Sequence, residues 1–202
     1  QRNQQNNNSK IKTIMKKDII LAGVGGQGIL SIASCIGIAA VEKNMYLKQA
    51  EVHGMSQRGG GVQAHLRISD TEIASDLIPQ GKADMILSME PVESLRYLDW
   101  LSTEGVLITS SEPFVNIPNY PEVETIYNAI KKLPKAHIVN SKDLAKEAGN
   151  PKTENMVLIG TALKYMPVKE ETVLNSVRER FQKKDPALVE ANAKALELGA
   201  KA

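Results

Sequence analysis

The chain has 202 residues, 42% of them hydrophobic and 24% charged, with a formal net charge of +2. That length suffices for one domain with its own buried core, and a charge excess so small, without a dense Lys/Arg run, excludes an obvious nucleic-acid binder. The single cysteine, Cys35, excludes an intrachain disulfide and any site built on several thiolates and fits a reducing, cytoplasmic compartment; the longest mostly apolar stretch, 28–41, contains serines and is too short to span a bilayer.

Residues 1–9 are polar, rich in Asn and Gln, and lack the apolar core and cleavage site of a signal peptide. Residues 1–14 therefore read as a leader outside the fold, either non-native or an upstream extension. Met15 reads as the native start, and 15–202 as one domain. Residues 18–22 predict a buried strand and 28–43 a helix, with Ile29, Ile32, Ala33, Ile36 and Ala40 at helical spacing. A second strand is expected at 46–50, then a glycine-rich loop at 51–61. Residues 62–68 alternate: Val62, Ala64, Leu66 and Ile68 on one face, Gln63, His65 and Arg67 on the other. A turn at Ser69-Asp70 predicts a return strand over 71–77, closing a central hairpin.

Strands at 84–88, 106–109 and 136–139 follow, separated by helices at 91–101 and 121–133, each with proline in its first turn. A short helix capped by Ser141 ends near Gly149. Residues 155–166 are apolar on most faces and predict a buried helix, and 169–182 and 186–198 predict amphipathic ones. The expected fold is α/β: a three-layer, Rossmann-like, mostly parallel sheet with a central β-hairpin and a helical C-terminal tail.

Gly23-Val24-Gly25-Gly26-Gln27-Gly28 has the G-x-G-x-x-G spacing between a strand and a helix. Glycines there permit a tight turn, and the helix N-terminus offers unpaired N–H groups and partial positive charge to an anion. A tight turn that binds nothing satisfies the same spacing. A dinucleotide site wants an acid about twenty positions on, where Glu51 stands beside a loop, so nicotinamide cofactor binding is allowed but not required. The second loop, His53-Gly54-Met55-Ser56-Gln57-Arg58-Gly59-Gly60-Gly61, combines a permissive backbone with the planar donor fork of Arg58. It suits a phosphate, a carboxylate or a partner chain; a solvated surface arginine is the plain alternative.

The segments 23–30 and 53–60 together, with the Val-Gln-Ala-His-Leu-Arg-Ile strand at 62–68 and the stretch 84–96 carrying Glu90, Glu93 and Arg96, resemble the gamma subunit or domain of 2-oxoacid:ferredoxin oxidoreductases. The wording Gly-Met-Ser-Gln-Arg-Gly-Gly is closest to the indolepyruvate oxidoreductase beta subunit. The resemblance runs from about Met15 to the C-terminal helices. It implies a subunit of an enzyme that oxidatively decarboxylates a 2-oxoacid, joins the acyl group to coenzyme A and reduces ferredoxin. It further implies that thiamine diphosphate, magnesium and iron–sulfur clusters sit on a large partner subunit, that this chain alone binds none of them, and that it is inactive alone; a homodimer inside a larger heteromer is compatible with it. One cysteine agrees with that division of labour, because iron–sulfur clusters need several.

The candidate site, for an anion, a cofactor region or an interface, comprises Gly23, Gly25, Gly26, Gln27, Gly28, His53, Gln57, Arg58, Gly59, Gly60, Arg67 and Glu90. No catalytic residue or metal ligand is assigned. Glu90 follows the end of a strand, where open α/β sheets place functional groups, and equally suits the start of a helix. His65 is expected to be solvated or partner-facing, and Trp100 to be core or interface. The alternatives are a free-standing NAD-binding oxidoreductase and a nucleotide-sensing interaction module; no membrane is implied.

Overall fold

A computed structural model of the chain describes residues 15–53, 59–115 and 117–202; the expected leader 1–14 lies outside them. β1 (Lys16–Val24) opens the fold. Ile19, Ile20, Leu21 and Ala22 are fully buried, as a central strand covered on both faces requires. α1 (Ile29–Glu42) follows, then β2 (Tyr46–His53) and β3 (Gly61–Ser69). β4 (Ala83–Ser88), α2 (Pro91–Arg96), β5 (Leu101–Ser110), α3 (Val123–Lys131) and β6 (Ala136–Val139) come next. α4 (Ser141–Glu147), α5 (Glu154–Ala162), α6 (Glu170–Phe181) and α7 (Pro186–Ala200) complete the chain.

The six strands form one sheet in the order β2-β3-β1-β4-β5-β6. β3 is antiparallel to both β1 and β2, while β1, β4, β5 and β6 are parallel. On one face Ile19, Leu21, Leu66 and Ile108 meet Ile32 and Ile36 of α1, Val157 of α5 and Leu196 of α7. On the other, Ile20, Ile86 and Leu107 meet Ile126 and Ile130 of α3. Each fully buried Ile or Leu contributes about 1.5–3 kcal/mol. α5 is buried from Asn155 to Ala162, as its all-round apolar sequence predicts.

The hairpin differs from expectation. The antiparallel partner of β3 within the hairpin is β2, which extends to His53, and 71–77 forms no strand. Both edges of β3 are already taken by β1 and β2, so a return strand has nowhere to pair. The 70–82 segment instead crosses the polar face of β3. There His65 Nδ1 accepts the Ile78 N–H at 3.0 Å, and Arg67 Nη1 donates to the carbonyls of Ser75 and Leu77 at 2.9 and 3.0 Å. His65 is thus buried at 4% exposure, not solvated, and it meets Trp100 edge-on. The expected helix 91–101 stops at Arg96, because Leu101 must leave it to pair with Ala83 at the start of β5.

Candidate functional site

β1 delivers its C-terminal end to the turn 25–28, and the register Val24↔Gly61 places the start of β3 beside it. Gly26 and Gly28 have φ of +105° and +84°, values that L side chains resist. Gly28 ends the turn as the N-cap of α1; no side chain caps that helix, and no acidic residue stands in its first turn. The positive end of the α1 dipole is therefore uncompensated by this helix's own side chains, which favours an anion.

Gln27 folds back under the turn. Its Oε1 accepts the Val24 N–H at 2.7 Å and its Nε2 donates to the Met89 carbonyl at 3.3 Å. Gly23 has no room for a β-carbon because Gln27, Ile29 and Met89 occupy that space. Asn155, at the start of α5, donates to the Gly28 carbonyl at 3.5 Å. The sequence reading passed over Asn155; its one signal is a polar residue opening an otherwise apolar helix.

The second glycine loop reaches the first. Gly25 N–H donates to the Gly60 carbonyl at 2.8 Å, and Gly59 N–H to the Gly25 carbonyl at 3.4 Å. Gln57 and Arg58 lie outside the described residues, and His53 closes β2 opposite Val62. Gly23, Gly25, Gly26, Gln27, Gly28, Gly59 and Gly60 therefore form one cluster, with the end of β2 beside it.

Two clefts flank the turn. One, of about 380 Å³, is lined by Val24, Gly25, Gly26, Gly28, Ile29, Leu30, Glu51 and Val62. The other, of about 600 Å³, is more polar and lies between Gly26, Gln27 and Met89 on one side and Phe114, Lys142, Lys152, Glu154 and Asn155 on the other. Glu154 of this cleft accepts from the buried Ser141 hydroxyl at 2.9 Å, and that hydroxyl meets the Ser110 hydroxyl at 2.8 Å. Burial, opposed by that hydrogen bond, holds the Glu154 carboxyl above its ordinary range. Lys142 pairs with Glu112 at 3.0 Å.

Arg67 and Glu90 are not brought to this cluster as free groups. Arg67 lies at the far end of β3, opposite Asp18, and grips its buried carboxylate with Nε and Nη2 at 2.8 and 3.1 Å. Glu90 is 1% exposed and caps α2, accepting Glu93 N–H at 2.8 Å. It also accepts the Phe114 N–H at 3.3 Å and the Tyr120 hydroxyl. Burial and that carboxylate push the Tyr120 phenol well up. Glu51 lines the smaller cleft, but β3 stands between β2 and β1. At roughly 4.8 Å per strand spacing, β2 runs about 10 Å from β1, not on the neighbouring strand where a dinucleotide's ribose acid belongs. Cys35 is buried in α1, and burial raises its thiol to about 12, as suits packing and not reactivity. Among the described residues no group of three or more His, Cys, Asp or Glu side chains could hold a metal, and no helix is long and apolar enough to cross a membrane.

Known proteins share this fold. The family model described as pyruvate ferredoxin/flavodoxin oxidoreductase matches residues 18–202. Indolepyruvate oxidoreductase subunit IorB of Pyrococcus horikoshii is 38% identical over 195 residues, covering 92% of this chain and 95% of that protein. Pyruvate oxidoreductase subunit PORC of Thermotoga maritima has a similar fold, with TM-score 0.71 at 20% identity over 93% of this chain and 96% of that one. A 2-oxoglutarate:ferredoxin oxidoreductase of Magnetococcus marinus, solved with 2-oxoglutarate, coenzyme A and succinyl-CoA bound, gives TM-score 0.73 at 18% identity; the match covers 93% of this chain and 31% of that longer one. A family model matched along 18–202 and a 38% identical relative of nearly equal extent place this chain in the pyruvate ferredoxin/flavodoxin oxidoreductase family.

Proposed function

We propose that this chain is the small subunit of an indolepyruvate-type 2-oxoacid:ferredoxin oxidoreductase, and that its joined glycine loops hold an anionic group of coenzyme A or of the 2-oxoacid. The observation that carries the reading is the Gly25–Gly60 hydrogen bond at 2.8 Å, which unites two loops that the sequence leaves thirty-odd residues apart, beside the uncapped N-terminus of α1. Backbone amides in such a concavity bind phosphate or carboxylate oxygens without a dedicated side chain. Arg58, with its planar fork, adds bidentate recognition of the same oxygens or pins the loop to a partner.

In this assignment a large partner subunit carries thiamine diphosphate, magnesium and iron–sulfur clusters, which supply the decarboxylation and electron-transfer chemistry. The small subunit contributes binding and orientation, and ferredoxin is reached through the complex in the cytoplasm. Indolepyruvate or a related aryl pyruvate is the substrate class, following the 38% identical relative. The test is reconstitution. The chain alone and the chain mixed with the large subunit are assayed with an aryl pyruvate, coenzyme A and ferredoxin or a viologen dye. Turnover is expected only in the mixture; turnover by the lone chain, or stoichiometric NAD(H) binding by it, overturns the reading.

A further inference from the structure

In a dinucleotide-binding sheet the strand beside β1 carries the acid that grips a ribose. Here β3 is inserted between β1 and β2. Glu51, near the end of β2, therefore stands two strand spacings from β1, about 10 Å at roughly 4.8 Å each. The inserted strand supplies a floor for that gap. Val62 lies opposite Gly23 of β1 on one side and His53 of β2 on the other, and its side chain packs on the core that α1 covers.

The smaller of the two clefts occupies this gap. Val24 and the glycine turn close one end and Glu51 the other, with Ile29 and Leu30 of α1 beside the Val62 floor. Between its ends the lining is apolar, the usual character of a small-molecule pocket with few polar groups. Leu30, in the first turn of α1, is 52% exposed although it is apolar.

Glu51 is aimed and held. It pairs with Ala64 across the β2–β3 ladder, and Ala64 belongs to the core on the α1 side, so Glu51 shares that face. Gln49, two residues back on the same face, donates its Nε2 to Glu51 Oε1 at 2.6 Å. Among the described residues nothing bonds the other oxygen, Oε2. An ionised carboxylate only accepts hydrogen bonds, so the far end of an apolar slot asks for an N–H or O–H. A flat ring system fills such a slot, and a gap of two strand spacings takes a fused pair of rings lengthwise.

We propose that this cleft seats a fused two-ring heteroaromatic group whose edge N–H donates to Glu51 Oε2, with the anionic end of the same ligand at the glycine turn. Two ligands of the assigned reaction carry that chemistry: an indolyl 2-oxoacid through its ring N–H, and coenzyme A through the amino group of adenine. Glu51 then sets specificity, because a site built around an acceptor rejects the analogue that lacks the donor. The assignment deepens the function proposed above and takes from it only the anionic end.

The test is titration calorimetry on the full chain, alone and in the reconstituted complex, with two matched pairs of ligands. One pair is indolepyruvate and its benzothiophene counterpart, in which sulfur replaces the ring N–H. The other is coenzyme A and its purine counterpart, which lacks the amino group. In one pair the donor-bearing member should bind about tenfold or more tightly than its partner, and that pair names the source of the ring. Glu51→Leu should abolish the difference by weakening the donor-bearing member alone. Glu51→Gln, whose amide oxygen still accepts, should restore most of it. Equal affinities within both pairs overturn the proposal. So does a Glu51→Leu chain that keeps the wild-type preference or weakens both members alike. Ring binding as expected in a complex that turns nothing over refutes the assigned reaction and upholds the cleft; turnover with no effect at Glu51 does the reverse.

Discussion

Gly25 donates its amide to the Gly60 carbonyl at 2.8 Å, so the turn that starts α1 and the loop that starts β3 are one structure. The antiparallel ladder between β1 and β3 makes this contact, continuing one step beyond Val24↔Gly61.

Gly26 and Gly28 separate backbone strain from steric fit. A β-carbon on Gly26 meets nothing within 4 Å, whereas on Gly28 it stands 2.7 Å from Asn155 Nδ2. Gly26→Ala should cost only the left-handed penalty, about 1–2 kcal/mol. Gly28→Ala should cost more, and Asn155→Ala should relieve part of the excess. Chemical denaturation of the three variants and the double variant measures the coupling; equal costs for the two glycines would show that Asn155 yields freely.

Arg58→Lys keeps the charge and removes the fork. Loss of a bidentate anion contact should cost about 1.5–3 kcal/mol of transition-state binding. In the reconstituted enzyme this appears as a fall in kcat/KM for coenzyme A or the 2-oxoacid. Unchanged kinetics with weakened subunit affinity would make Arg58 an interface residue.

Arg67→Lys should behave in the opposite way. Arg67 is tied to Asp18, which is fully buried, and to two carbonyls of the crossing segment. The variant should lose about 1.5–3 kcal/mol of stability with coenzyme A dependence unchanged. A kinetic effect without a stability effect would return Arg67 to the functional site.

Glu90→Gln tests a structural carboxylate. Glu90 accepts from Glu93, Phe114 and Tyr120, and an amide nitrogen cannot accept in place of an oxygen. The expected loss is about 1–3 kcal/mol in denaturant unfolding, with Glu90→Ala worse. A Glu90→Gln variant of normal stability and no turnover would reassign Glu90 to chemistry.

His65 makes stability pH-dependent. Burial lowers its pKa below the ordinary 6.5, the nearby Asp76 opposing and Arg67 adding to the effect. Its Nδ1 must stay unprotonated to accept the Ile78 N–H. Below about pH 6.5 the unfolded chain takes a proton that the folded one refuses. Stability should therefore be complete above that pH and fall as pH drops toward the lower, folded value. His65→Asn, which keeps an acceptor without the titration, should flatten the fall measured by thermal unfolding between pH 7 and 5. His137, also lowered by burial, leaves a residual slope; an unaltered slope would clear His65 of the effect.

By itself the sequence determined what is local: the buried run 18–22, the helical period after Gly28, the alternation at 62–68, the apolar helix at 155, and the glycine spacing that sets the turn. These follow from side-chain period and backbone freedom, which a short window contains. Even the family was legible, through two motifs in order. Only the tertiary structure decided that β3 lies between β1 and β2, which left 71–77 without a strand to pair, buried His65 under it and tied the partly buried Arg67 to its carbonyls. It also decided that Glu90 is consumed by Phe114 and Tyr120, and that Asn155 arrives from far along the chain beside Gly28. Each of these depends on which edge or face is already occupied when the chain returns, and occupancy is a property of the assembled sheet, not of any stretch of residues.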